Sequence, residues 1–179
     1  MNTEVMELIN DLVGDNSGIT INTNEVIDNY VNTTYASQLN AVDNEDEREK
    51  MRNTWKEYYT DGDGRQFIDS EIMNIKVQFS AAKENLNQVS EGTANAVASN
   101  AVPAVITVGT ATSSPNPVYA LMENKSKINT LRSILQTIAI CIASLLQSIA
   151  KLCMPIPEAV LALIKVLAST KKAVDAIPC

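Results

Sequence analysis

The chain has 179 residues, 45% of them apolar but only 4% aromatic, with no histidine and a net charge of −7. That length suits one ordinary domain or two small ones, and so few aromatics require an aliphatic core of the kind helices build. The acidic balance speaks against general nucleic-acid binding, which needs clustered Lys and Arg, and the lack of histidine removes Ser–His and Cys–His nucleophile systems and histidine zinc sites.

The first segment, "TEVMELINDLV", predicts a short helix with Val5, Leu8, Ile9 and Leu12 on one side and Gly14 as its stop. It lacks a basic stretch followed by an apolar one, so it does not read as a secretory signal. Turn-forming residues follow, with a short extended stretch at Ile19–Ile21. Asn24 is the expected N-cap of a helix over "EVIDNYVNTTYASQLNAV", where Ile27, Tyr30, Val31, Tyr35 and Leu39 recur three or four apart. "DNEDEREKMRNTWKEYY" opens on acids and closes on bases and aromatics, which suits the helix dipole. Its (i, i+4) charges match imperfectly, with Glu45 and Glu49 opposing and Arg48 and Arg52 aligned along the face.

After a turn at "TDGDG", with Asp63 as the expected cap, Ile68, Ile72, Ile75, Phe79, Ala82, Leu86 and Val89 alternate by four and three residues. This is a heptad seam. Pro103 is expected to end that helix, and "VPAVITVGTATSSPNP" reads as an extended connector with a short strand at Val105–Val108. A long helix then runs from Pro117 or Val118 to about Cys153, where "MPIPE" breaks it. Pro157 and Glu158 suit the first turn of a final helix that reaches about Ile177. The expected fold is all-α: a helical bundle with long heptad-patterned helices and a C-terminal helical hairpin. Its segments are an acidic N-terminal helical region over 1–62, an amphipathic heptad helix over 63–102, an extended connector over 103–117 and an apolar hairpin over 118–179.

The hairpin raises the main functional question. Ser133–Ala150 is an uncharged run flanked by Lys125, Lys127 and Arg132 on one side and Lys151 on the other. At 1.5 Å per residue it spans roughly 27 Å, close to the ~30 Å of a hydrocarbon core. Its periodicity favours protein instead. Ile128, Leu131, Leu135, Ile138, Ile142, Leu145, Ile149 and Leu152 keep heptad spacing. Ser133, Gln136, Thr137, Ser144, Gln147, Ser148 and Lys151 form an opposing polar stripe, which lipid does not require. Ile134, Ala139, Cys141 and Leu146 widen the apolar surface, so more than one neighbour is expected. One neighbour is the final helix, through Val160, Leu163, Ile164, Leu167, Val174 and Ile177. Burying the eight seam residues is worth on the order of 12–24 kcal/mol gross, an upper bound before entropy.

No catalytic constellation emerges. "DGDGRQFIDSE" resembles a calcium loop superficially but lacks essential ligands in either register. Cys141, Cys153 and Cys179 are an odd set with two inside apolar helix, which reads as buried thiols in a reducing compartment rather than a disulfide framework. Acidic clusters such as "DNEDERE" have no apolar pocket to separate their pKa values. Trp55, Tyr58 and Tyr59 form an aromatic patch, either a local helix contact or a partner hot spot. Charge is polarised: residues 1–117 carry a net −11 and residues 118–179 a net +4, so the chain has the means to dock on a copy or an anionic surface.

Small size, absence of histidine, Asn- and Thr-rich helix ("NTNEVIDNYVNTTYASQLNAV"), heptad helices and an apolar C-terminal hairpin together resemble structural proteins of tailed-bacteriophage virions, those of the baseplate, neck or tail. The resemblance is one of style and transfers no functional residue. It implies a virion component assembled in the host cytoplasm. The expected function is a non-enzymatic structural assembly protein without cofactors or metals, whose partners are copies of itself or other structural proteins. The residues expected at its interfaces are Leu131, Leu135, Ile138, Ile142, Leu145, Ile149, Leu152, Val160, Ile164, Leu167, Trp55 and Tyr58. The alternative is a membrane-active protein, a pore-former or holin-like factor, that inserts residues 133–169.

Overall fold

A computed structural model describes the backbone of residues 7, 9–12, 18–109 and 117–176, with side chains except those of 90–124. Every regular element among these residues is an α-helix, and the helices pack as a bundle. They are α1 (Thr23–Thr34), α2 (Ala36–Asn40), α3 (Glu45–Thr60), α4 (Arg65–Gly109), α5 (Pro117–Lys151) and α6 (Glu158–Asp175). Ahead of them, Ile9–Leu12 is helical, with Ile9 fully buried. Val5, Leu8, Gly14, Ile177 and Cys179 lie outside the described residues.

Two compact units emerge, and both long helices contribute to each. The first combines residues 18–80 with 142–158, and the second includes 81–141 and 159–176. This grouping differs from a division into consecutive segments, because each unit joins stretches distant in sequence.

In the first unit, α1 is capped by Asn22, not by the expected Asn24. The Asn22 side-chain oxygen accepts from the backbone N–H groups of Asn24 and Glu25, at 3.1 and 3.3 Å. The earlier cap places Glu25 in the first turn, where its charge suits the dipole. Ile19–Ile21 is irregular backbone, with no ladder partner among the described residues. The single helix expected across residues 25–42 breaks at Tyr35, whose ψ of 20° leaves the α region. Two β-branched residues, Thr33 and Thr34, precede the break and weaken helix continuation. Asn44 caps α3 by accepting from the N–H groups of Asp46 and Glu47. The charges of α3 pair at (i, i+3), Glu45 with Arg48 and Glu49 with Arg52. Arg48 also donates to the carbonyls of Leu39, in the last turn of α2, and of Val42, just past it. Lys56 pairs with Asp28 at 3.1 Å and Arg52 donates to Asn32 at 2.9 Å, so α3 is tied to α1.

The turn into α4 depends on glycine. Gly64, not Asp63, immediately precedes the helix, which begins at Arg65. A Cβ at Gly64 would lie 2.6 Å from the Tyr59 ring and 2.7 Å from the Tyr58 ring. Those rings occupy the space any side chain would need. Gly64→Ala is therefore expected to lower stability by about 1–3 kcal/mol through overpacking, read as a drop in the urea midpoint at unchanged slope.

All seven heptad positions of α4 are buried: Ile68, Ile72, Ile75, Phe79, Ala82, Leu86 and Val89. The helix does not stop at Pro103 but continues to Gly109, so residues 103–109 are neither extended connector nor strand. A proline removes one backbone donor and kinks a helix without always ending it. The Ser/Pro tract at 110–116 lies outside the described residues.

The end of α5 is a Schellman motif. Met154 N–H donates to the Ile149 carbonyl at 3.2 Å and Cys153 N–H to Ala150 at 3.0 Å. Cys153 takes the left-handed position, at φ 54°, that glycine ordinarily fills. Asn29 of α1 donates to the Cys153 carbonyl at 2.6 Å, which anchors the corner to the first unit. The "MPIPE" break lies where expected, with α6 starting at Glu158.

Candidate interaction surface

All eight seam residues of α5 are buried within the single chain, none more than 6% exposed. Leu131, Leu135 and Ile138 fall in the second unit, and Ile142, Leu145, Ile149 and Leu152 in the first. Of the α6 positions, Val160 is fully buried while Ile164 and Leu167 are half-buried. In this fold these side chains form the chain's own core, and a second molecule reaches the buried ones only if the bundle opens.

Burial on α6 is shifted around the helix from the expected face. Val166 and Thr170 join Val160, Leu163 and Val174 inside. Among the described residues the buried Thr170 hydroxyl has no hydrogen-bond partner. Its polarity conceals a core position whose shape valine would match. Thr170→Val is expected to raise stability by about 1 kcal/mol, measured as a higher melting temperature, by removing a desolvated hydroxyl.

The polar stripe of α5 is mostly wet: Ser133, Gln136, Thr137, Gln147 and Lys151 are exposed. Ser144 and Ser148 depart from it. Ser148 is 2% exposed and accepts from the Asn74 side-chain amide at 2.9 Å, and Ser144 accepts from the same amide at 3.2 Å. Lys151 pairs with the mostly buried Glu71 at 3.5 Å.

The aromatic patch is a stacked cluster in the first unit. Tyr35 lies flat on Trp55, with ring centroids 3.9 Å apart and planes 11° from parallel. Tyr59 meets Tyr30 and Tyr58 edge-on, both at 4.9 Å, and its hydroxyl shares a 2.7 Å hydrogen bond with that of Tyr35. Burial, followed by the hydrogen bonds to Tyr35 and Tyr30, pushes the Tyr59 phenol far above its ordinary value near 10. Trp55 is half-buried, as are Tyr30 and Tyr35, and Tyr58, at 43% exposed, is the most solvent-facing ring of the cluster. Tyr30 and Tyr35 complete it from α1 and the break after it, which the local pattern around Trp55 did not reveal.

Apolar surface remains elsewhere. Met73 and Val77, one turn apart on α4, are 62% and 52% exposed, and Ile140 on α5 is 64% exposed. A shallow cleft of about 370 Å³ lies between Thr20–Asn29 and the Met154–Pro157 corner. Glu25 is the one titratable side chain in its lining. No family model matches the chain, and neither a curated protein nor a solved structure matches it.

Proposed function

We propose that the chain is a non-enzymatic structural assembly protein that docks through the outer faces of its helical bundle onto copies of itself within a larger particle. A bacteriophage virion or tail assembled in host cytoplasm is the setting that the resemblance in style suggests. The observation that carries this reading is the exposed pair Met73 and Val77, two large apolar side chains one turn apart on an otherwise polar helix face. Trp55 and Tyr58 offer a second contact edge of the aromatic kind common at interfaces. Light scattering after size exclusion on the full chain tests the reading. The expected result is a discrete oligomer that Met73→Glu with Val77→Glu dissociates while helix content is kept. A monomer at every concentration would overturn it.

One observation favours a second reading. Lys125–Lys151 is long and apolar enough to cross a membrane by length and composition, and 39% of its most apolar stretch is buried. A membrane-active protein would insert this helix. Flotation of the full chain with anionic liposomes, accompanied by dye release, would support insertion over assembly.

A further inference from the structure

We propose that Asn74, Ser144 and Ser148 form a register lock, a half-buried polar layer closed by the buried Ser148 that holds α5 against α4 in one alignment out of several that apolar packing alone would permit.

Two repetitive seams meet in the first unit. On α4, Ile68, Ile72, Ile75 and Phe79 are buried, and on α5, Ile142, Leu145, Ile149 and Leu152. The order of the contacts shows that the helices run antiparallel. Glu71 meets Lys151, and three residues further along α4 Asn74 meets Ser148 and Ser144. Both seams repeat with heptad spacing, and both continue beyond this unit. Sliding α5 by seven residues, roughly 10 Å, therefore again sets aliphatic side chains against aliphatic side chains. Hydrophobic burial is non-directional and distinguishes such alignments poorly.

The polar layer does distinguish them. The Asn74 amide nitrogen lies 2.9 Å from the Ser148 hydroxyl, 3.2 Å from the Ser144 hydroxyl and 3.5 Å from the Ser144 carbonyl. Its amide oxygen accepts from Gln78 at 3.3 Å. A one-heptad slide in one direction would set Asn74 against Thr137 and Cys141, and in the other against Lys151 and Pro155. Neither set restores two serine hydroxyls, and either separates Glu71 from Lys151. A half-buried amide that loses its partners is penalised, while an apolar residue in its place is not, so this layer contributes alignment more than net stability.

The test is the Asn74→Leu substitution in the full chain, followed by melting and by backbone amide NMR of residues 142–152. The parent is expected to show one set of signals. Asn74→Leu is expected to keep its helix content and melt no lower than the parent, yet to show a second set or exchange broadening along α5. The milder Ser148→Ala variant is expected to show the same second set at lower population. A single undisturbed set in both variants would overturn the proposal. So would a lower melting temperature for Asn74→Leu, since the layer would then act as ordinary stabilisation.

Discussion

Ile142→Asp is expected to destabilise the chain by about 3–5 kcal/mol, enough to unfold a domain of ordinary stability. Ile140→Asp, two residues earlier, is expected to stay within about 0.5 kcal/mol of the parent. The contrast follows from exposure: Ile142 is 6% exposed and Ile140 is 64% exposed. An aspartate at 142 would leave water for a site lined by aliphatic side chains, with no cation in the seam to pair with it. At 140 it would stay hydrated. The pair also separates the two functional readings. In a helix surrounded by lipid, a charge on either face is penalised. In a helix packed into its own chain, only the inward face is sensitive. Circular dichroism melts of both variants, without detergent, give the comparison. Because the seam lies inside one chain, the expected consequence is loss of fold rather than dissociation of an oligomer.

Tyr59→Ala is the second large effect, expected at about 3–5 kcal/mol. Tyr59 is 7% exposed and stands between Tyr30, Tyr35 and Tyr58 over Gly64. Truncation would remove several ring contacts and leave a cavity where α1, α3 and the start of α4 converge. Tyr59→Phe retains the ring and loses the hydroxyl with its bonds to Tyr35 and Tyr30, so about 1 kcal/mol is expected. The raised phenol adds a pH signature. Below pH 10 both folded and unfolded chains keep this proton, and stability does not depend on it. Above pH 10 the unfolded chain releases the proton while the folded chain retains it, so stability falls as pH rises, by at most ~1.4 kcal/mol per unit from this group. Urea titrations between pH 9 and 11 should show that decline, and Tyr59→Phe should reduce its slope.

The sequence made the long seams legible because heptad spacing is a strong signal in an aliphatic chain. Each described position read as seam on α4 and α5 is buried. Shorter signals were less decisive. Asn22 and Asn24 have the same capping chemistry, and only the extended backbone at Asn22 separates them. Pro103 looked like a stop because a lost donor and a steric clash usually end a helix, yet the helix passes through it. Polar residues misled wherever they were buried. Ser148 reads as part of a wet stripe, although it lies beside Cys141 on the flank of the seam, where small side chains admit Asn74. Thr170, outside the apolar positions read on the final helix, is fully buried. Hydrophobic pattern alone cannot register a core polar group whose partner comes from a helix 70 residues away. The outer contacts that would define a partner, Met73, Val77 and Ile140, lie off the heptad seams, so the periodicity that located the core did not single them out.

Methyl NOE spectroscopy on the full chain tests whether α5 hides its apolar side against its own polypeptide. With isotope filtering on a mixture of labelled and unlabelled protein, methyl groups of Leu135, Leu145 and Ile149 are expected to show strong NOEs to side chains of the same molecule, in buffer and with added lipid bicelles alike. NOEs from these methyls to acyl-chain protons, or only to a differently labelled copy, would contradict it.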